Sequence, residues 1–172
     1  MREGEHGYLD SDVFLSYLDA TPNRIDVIQA LLDQARGGSY ELFTSVATIA
    51  EVAFAASEKT GQALNPEVEE AMDHLWAPAS PITLVEVFPE IAVRARSFVR
   101  QGMVGQRRIK PFDALHLATA AHLDVAALVT YNVDDFERWA ADLGLRVEEP
   151  SVQQMTLSTA TAAEAPLEQT ED

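Results

Sequence analysis

The sequence predicts an α/β fold, a single parallel sheet covered by helices on both faces. Three observations carry that expectation. Short apolar runs alternate with segments of helical period along most of the chain, and strand–helix repetition calls for right-handed crossovers that return to a parallel sheet. The run 126–130 is almost wholly apolar, as a central strand buried on both sides must be. The chain has 172 residues, 47% hydrophobic and 23% charged, enough for one domain with a sizeable core.

Taken in order, Tyr8-Leu9-Asp10 ends a first short strand, and Ser11 is positioned to cap a helix bearing Val13, Phe14, Tyr17 and Leu18. Thr21-Pro22 precedes a second helix with a stripe of Ile25, Ile28, Leu31, Leu32 and Ala35, stopped at Gly37-Gly38. Residues 40–44 are a second strand. Thr44-Ser45 opens a third helix, with Val46, Ile49, Val52, Ala53 and Ala56 expected inward. Asn65-Pro66 starts a fourth over 67–76, and residues 82–87 form a third strand. Pro89 opens a fifth helix on Ile91, Ala95, Phe98 and Val99, followed by a loop at 101–108. Pro111 then starts a helix, because its missing N–H is tolerated at a first turn. Leu115, Ala118 and Leu123 give that helix an apolar face. Residues 126–130 are the fourth strand, 134–143 a short helix and 145–148 a last strand, making a sheet of about four to five strands. Tyr8, Phe14 and Trp139 are expected in the core. From Ser151 the chain turns acidic and loses its basic residues, so 1–150 is read as the domain and 151–172 as a disordered tail.

Composition excludes several chemistries. With no cysteine, disulfides, thiol catalysis and Cys-type zinc sites are out, and the four histidines are scattered. The N-terminus carries no apolar run and no segment approaches the ~20 apolar residues of a membrane span, so a cytoplasmic, non-membrane protein is expected. A net charge of −16 argues against a general nucleic-acid coat. Yet six of the twelve basic residues, Arg94, Arg96, Arg100, Arg107, Arg108 and Lys110, lie in one stretch. They form either a solvated helix face or a phosphate-facing patch.

Three acids mark the chemistry. Asp10 ends the first strand, at the sheet edge where open α/β folds bind ligands. Glu51 lies inside an Ala-rich helix and reads equally as solvated. Asp113 sits in a first helical turn, where free N–H groups and the helix dipole are expected to keep it ionised. Carboxylates gathered at one place repel unless a cation joins them, and oxygen-only ligation favours Mg²⁺ or Mn²⁺. After the fourth strand, Thr130-Tyr131-Asn132-Val133-Asp134-Asp135 adds further oxygens. Asp134 is expected to cap the following helix, leaving Asp135 to turn toward the acids. His116, three residues past Asp113, is a supporting group or a base by chemistry, and a structural histidine by frequency.

The ordered set Leu9-Asp-Ser-Asp-Val13, Ala50-Glu-Val52, Phe112-Asp-Ala-Leu-His-Leu-Ala118 and Leu128-Val-Thr-Tyr-Asn-Val-Asp-Asp-Phe136 resembles PIN-domain ribonucleases, most of all the VapC-type toxins of toxin–antitoxin pairs. The resemblance covers Tyr8 to about Pro150. It implies a three-layer α/β/α fold and Mg²⁺-dependent RNA cleavage. It also implies metal acids at Asp10, Glu51 and Asp113, a hydroxyl at Thr130, a homodimer and a separately encoded antitoxin. Asn132 stands where the family often has an acid, which leaves the fourth ligand open, with Asp135 the substitute. Arg107, Arg108 and Lys110 are the expected RNA-binding residues. Two other readings fit part of the pattern: a haloacid-dehalogenase-type phosphatase built on Asp10 and Asp12, and a PIN-like scaffold that binds without cutting.

Overall fold

The structure, a computed structural model, describes residues 6–151; the first five residues, and the acidic tail expected beyond Ser151, lie outside the described part. Five strands, β1 (His6–Leu9), β2 (Glu41–Ser45), β3 (Ile82–Val85), β4 (Ala127–Val129) and β5 (Arg146–Glu148), pair in the order β3-β2-β1-β4-β5. Every pair is parallel. The order reverses at β1, so the crevice between β1 and its neighbours opens at the carboxyl ends of the strands.

Eight helices fill the connections: α1 (Ser11–Leu18), α2 (Ile25–Arg36), α3 (Ala47–Glu51), α4 (Ala56–Gly61), α5 (Pro66–Trp76), α6 (Pro89–Val104), α7 (Pro111–Leu123) and α8 (Val133–Ala140). They divide the core in two. Tyr8 and Leu128 join Ile91, Phe98, Leu117, Phe136 and Trp139 beneath α6, α7 and α8. Leu9, Ala127 and Val129 join Phe14, Ile28, Leu31 and Leu75 beneath α1, α2 and α5. Neighbouring residues of β1 and β4 thus face opposite cores, as a period of two requires. Tyr8, Phe14 and Trp139 are all core residues, as expected. Among the described residues no helix is long and apolar enough to cross a membrane.

Several local expectations are corrected. Asp10, not Ser11, caps α1. The third helix stops at Glu51, and Val46, Ile49, Ala53 and Ala56 are exposed rather than inward. A buried carboxylate explains the break. Glu58 accepts from the backbone N–H of Ala55 at 3.1 Å and of Asn65 at 2.6 Å, which starts α4 as a separate turn. The fifth helix overruns its expected end and reaches Val104. Gly102 permits this, because a Cβ there would lie 2.4 Å from the Arg107 carbonyl oxygen. Finally, α7 is buried on nearly all sides from Ala114 to Ala120, not along one stripe, which is the pattern of a helix enclosed by neighbours.

Candidate active site

Asp10 leaves β1 at the carboxyl edge and is almost fully buried. As a helix cap its Oδ1 accepts the Ser11 N–H at 2.7 Å. The pairing of Leu9 with Val129 puts Thr130 beside it, and the Thr130 hydroxyl donates to Asp10 Oδ2 at 2.9 Å. Asp12, two residues on, reaches the same hydroxyl at 3.2 Å and the Tyr131 N–H at 3.0 Å. One hydroxyl proton cannot serve two carboxylates. Burial, and then the charge of Asp10, push Asp12 up to about 7 against the hydrogen bonds from Thr130 and Tyr131. Its retained proton can be donated to Thr130 Oγ1 while Thr130 donates onward to Asp10. Asp12 is the group that sequence reasoning missed as part of the Asp10 cluster. The signal was present, since two acids two residues apart at a strand-to-helix junction share one edge.

His116 is buried to 1% exposure. Its Nε2 lies 2.5 Å from Glu51 Oε2 and 3.4 Å from Asp10 Oδ1, and its Nδ1 lies 2.8 Å from the Tyr8 hydroxyl. Nε2 must therefore carry the proton in the neutral ring, so Nδ1 accepts from Tyr8. The Tyr8 oxygen in turn accepts the Ser45 N–H at 3.1 Å. Burial alone would lower the His116 pKa. The hydrogen bond to Glu51 and the charges of Asp10, Glu51 and Asp113 outweigh it and raise the pKa. Glu51 is thus not the solvated residue that its helix position allowed. It is turned toward Asp10 and held by a histidine that packs as structure and bonds as a positioning group. Burial and the Asp10 charge also raise Tyr8 above the ordinary tyrosine value.

Asp113, in the first turn of α7, is pushed above the ordinary aspartate value by burial, with Asp10 and Asp135 adding to the rise and Lys110 opposing it. Burial and the two neighbouring acids thus act on Asp113 in the direction opposite to the helix start. Lys110 Nζ lies 3.8 Å from both Asp113 and Asp135. Asp135 therefore shares Lys110 with Asp113. Asp134 does not cap α8; Asn132 holds that position, without a side-chain cap bond, and is exposed. Among the described residues, no three His, Asp or Glu side chains converge closely enough to hold a metal ion as they stand.

The basic run does not form one path. Arg94 lies against Phe98 and the Ala121 carbonyl. Arg96 and Arg100 line a hollow on the outer side of α6. Arg107 pairs with Asp142 at 2.8 Å and stacks on Trp139 at 4.3 Å. Arg108 shares a cleft with Asp134 and Asp135, and Lys110 stands among the acids.

The PIN domain family matches residues 7–142. The chain belongs to the PIN-domain family. Among solved structures, this PIN domain is similar to VapBC2 from Rickettsia felis, bound to a fragment of its promoter DNA, at 14% identity, a TM-score of 0.63, and coverage of 85% of this chain and 99% of that one. It is similar to VapBC-1 from nontypeable Haemophilus influenzae at 20% identity and a TM-score of 0.61, covering 84% and 97%. It is also similar to VapC20 from Mycobacterium tuberculosis, a toxin that cleaves the sarcin–ricin loop, at 11% identity and a TM-score of 0.57, covering 77% and 94%. No curated protein matches in sequence. The PIN assignment bears out the three-layer parallel fold and gives no support to a dehalogenase-type phosphatase.

Proposed function

We propose that this PIN domain is a divalent-cation-dependent endoribonuclease, the toxin of a toxin–antitoxin pair in the cytoplasm. The observation that carries the reading is that Asp10 and Glu51 share His116 while Asp113 and Asp135 share Lys110, with the charges of Asp10, Asp135 and His116 all felt at Asp113. The donor chemistry fits Mg²⁺ or Mn²⁺: all the acids offer hard oxygens, and their mutual repulsion is what such a cation relieves. Asp10, Glu51 and Asp113 would hold it, with Asp135 supporting in place of an acid at position 132. When bound, the cation supplies charge stabilisation for phosphodiester hydrolysis.

The chain's own residues prepare the site. Thr130 fixes Asp10. Tyr8 and His116 fix Glu51. Lys110, which is exposed, presents an ammonium beside the acids where a phosphate would approach. VapC20's RNA cleavage supports RNA as the substrate, and the VapBC assemblies support a separate antitoxin. Exposed Phe88, Val93, Met103 and Val104 on α6 and the turn before it, with Phe112 at the start of α7, offer an apolar surface for a second copy in a homodimer.

The test is Asp113→Asn, assayed with single-stranded RNA and Mg²⁺ beside a small phosphoester. The variant should fold, since one oxygen is retained. It should lose about a thousandfold in rate, the equivalent of roughly 4 kcal/mol of charge stabilisation. Undiminished RNA cleavage would remove the assignment. Binding without cleavage by the wild-type chain would favour the scaffold reading.

A further inference from the structure

Beside the acids, the turn before α7 and the first turns of α8 enclose an open cleft of about 310 Å³, lined by Arg107, Arg108, Asp134, Asp135, Arg138 and Trp139. Its arginines are not equivalent. Arg107 is held by Asp142 and by the face of Trp139, so its charge is partly offset and its guanidinium is fixed. Arg108 and Arg138 are exposed and have no hydrogen-bond or ion-pair partner among the described residues. Two unpaired guanidiniums lining one cleft repel each other, and an anion between them would relieve that repulsion. Asp134 and Asp135 also line the cleft, yet neither pairs with an arginine. Asp135 is engaged instead by Lys110, which also reaches Asp113. Asp135 is thus a wall common to the cleft and the acid cluster.

We infer that this cleft is a phosphate subsite, in which Arg108 and Arg138 grip the RNA backbone at a phosphate neighbouring the one that meets the acids. The inference rests on the ribonuclease reading. Its chemistry is that of a phosphodiester: a forked guanidinium matches two phosphate oxygens. A base has no comparable claim on the cleft, because Arg107 already lies over the face of Trp139. The acids beside it set the register. A strand bound only by Arg108 and Arg138 would be repelled by Asp134 and Asp135, so the subsite gains affinity when the acid charge is neutralised. Arg138 is a phosphate-binding residue that the basic run at 94–110 does not contain. Arg96 and Arg100, on the outer side of α6, take no part.

The experiment measures fluorescence anisotropy of a labelled single-stranded RNA oligonucleotide in the Asp113→Asn background, in Mg²⁺, across a salt series. Arg108→Gln with Arg138→Gln should weaken binding at least tenfold at about 0.1 M salt. It should also flatten the plot of log affinity against log salt by about 0.7 for each phosphate that is no longer gripped. Arg138→Lys, which keeps the charge and loses the fork, should recover part of the affinity. Arg96→Gln with Arg100→Gln should change neither quantity. A scan of single neutral methylphosphonates should find one position whose penalty disappears in the Arg108→Gln, Arg138→Gln protein. RNA binding that is tight in the parent and unchanged in affinity and slope by the double substitution would overturn the subsite and leave the ribonuclease reading standing. No RNA binding by the parent would overturn both. Unchanged thermal melts of the exposed-site variants would show that any loss is not unfolding.

Discussion

Replacing Asp12 by Asn should make the metal-free protein more stable above neutral pH, although it removes a carboxylate hydrogen-bonded to Thr130 and Tyr131. Asp12 is pushed from 3.8 to about 7 because it is partly buried and lies beside the charge of Asp10, against the hydrogen bonds from Thr130 and Tyr131. An acid whose pKa is raised by folding keeps its proton in the native state at pH values where the unfolded chain has lost it. Stability therefore falls as pH rises from about 4 to about 7, and the penalty is complete above 7. At about 1.4 kcal/mol per unit the rise corresponds to about 4 kcal/mol; the side chain is only partly buried, and solvent screening reduces this to about 2 kcal/mol. Asn escapes the penalty, and its carbonyl oxygen can still accept from Tyr131 and Thr130. The assay is thermal unfolding in a chelator at pH 5 and pH 8. At pH 8 the variant should melt about 4–8 °C higher than the parent, and the gap should close toward pH 4. Equal melting temperatures at pH 8, or a gap that does not change with pH, would refute the reasoning.

Two further outcomes follow from packing. Tyr8→Phe removes the hydroxyl that serves both His116 and the Ser45 N–H. Leaving two buried groups unpaired should cost about 3 kcal/mol in urea unfolding, and it should lower RNA cleavage through the loss of Glu51 orientation. Gly102→Ala places a methyl against the Arg107 carbonyl. It should cost about 1–3 kcal/mol by thermal melt and displace the 105–110 turn, so RNA affinity should fall although residue 102 touches no ligand.

Much of this architecture is legible in the sequence. The apolar run at 126–130 and the repeated strand–helix pattern carry the parallel order, and Pro66, Pro89 and Pro111 each mark a helix start that the structure keeps. The expectations that fail do so where a tertiary contact outvotes the local pattern. Nothing near Ala53 signals that the third helix must end; the cause is Glu58, which binds the Ala55 and Asn65 backbones. Gly102 reads as a loop residue, yet it lies inside α6, where the carbonyl of Arg107, five residues on, leaves no room for a Cβ. In the site, Asp10 and Asp113 can be picked out by their junction positions, whereas Glu51 inside its helix cannot. The hydroxyl of Tyr8 cannot, since an aromatic in a buried strand gives no sign of what its polar end touches. Asp135 is legible only as one of two adjacent acids, and its orientation depends on a lysine 25 residues away in sequence.

The bond between Thr130 and Asp10 joins residues 120 positions apart, and it has a consequence for synthesis. β1 acquires its neighbour β4 only when nearly the whole domain has been translated. At about 5–20 residues per second, several seconds separate the appearance of Asp10 from that of Thr130. During that interval no partial chain holds the cluster, because Asp113, His116 and Thr130 are added only near its end. The sheet edge therefore acts as a clock. If the edge carries the proposed nuclease activity, that activity is absent from the emerging polypeptide until the last third of the domain has left the ribosome.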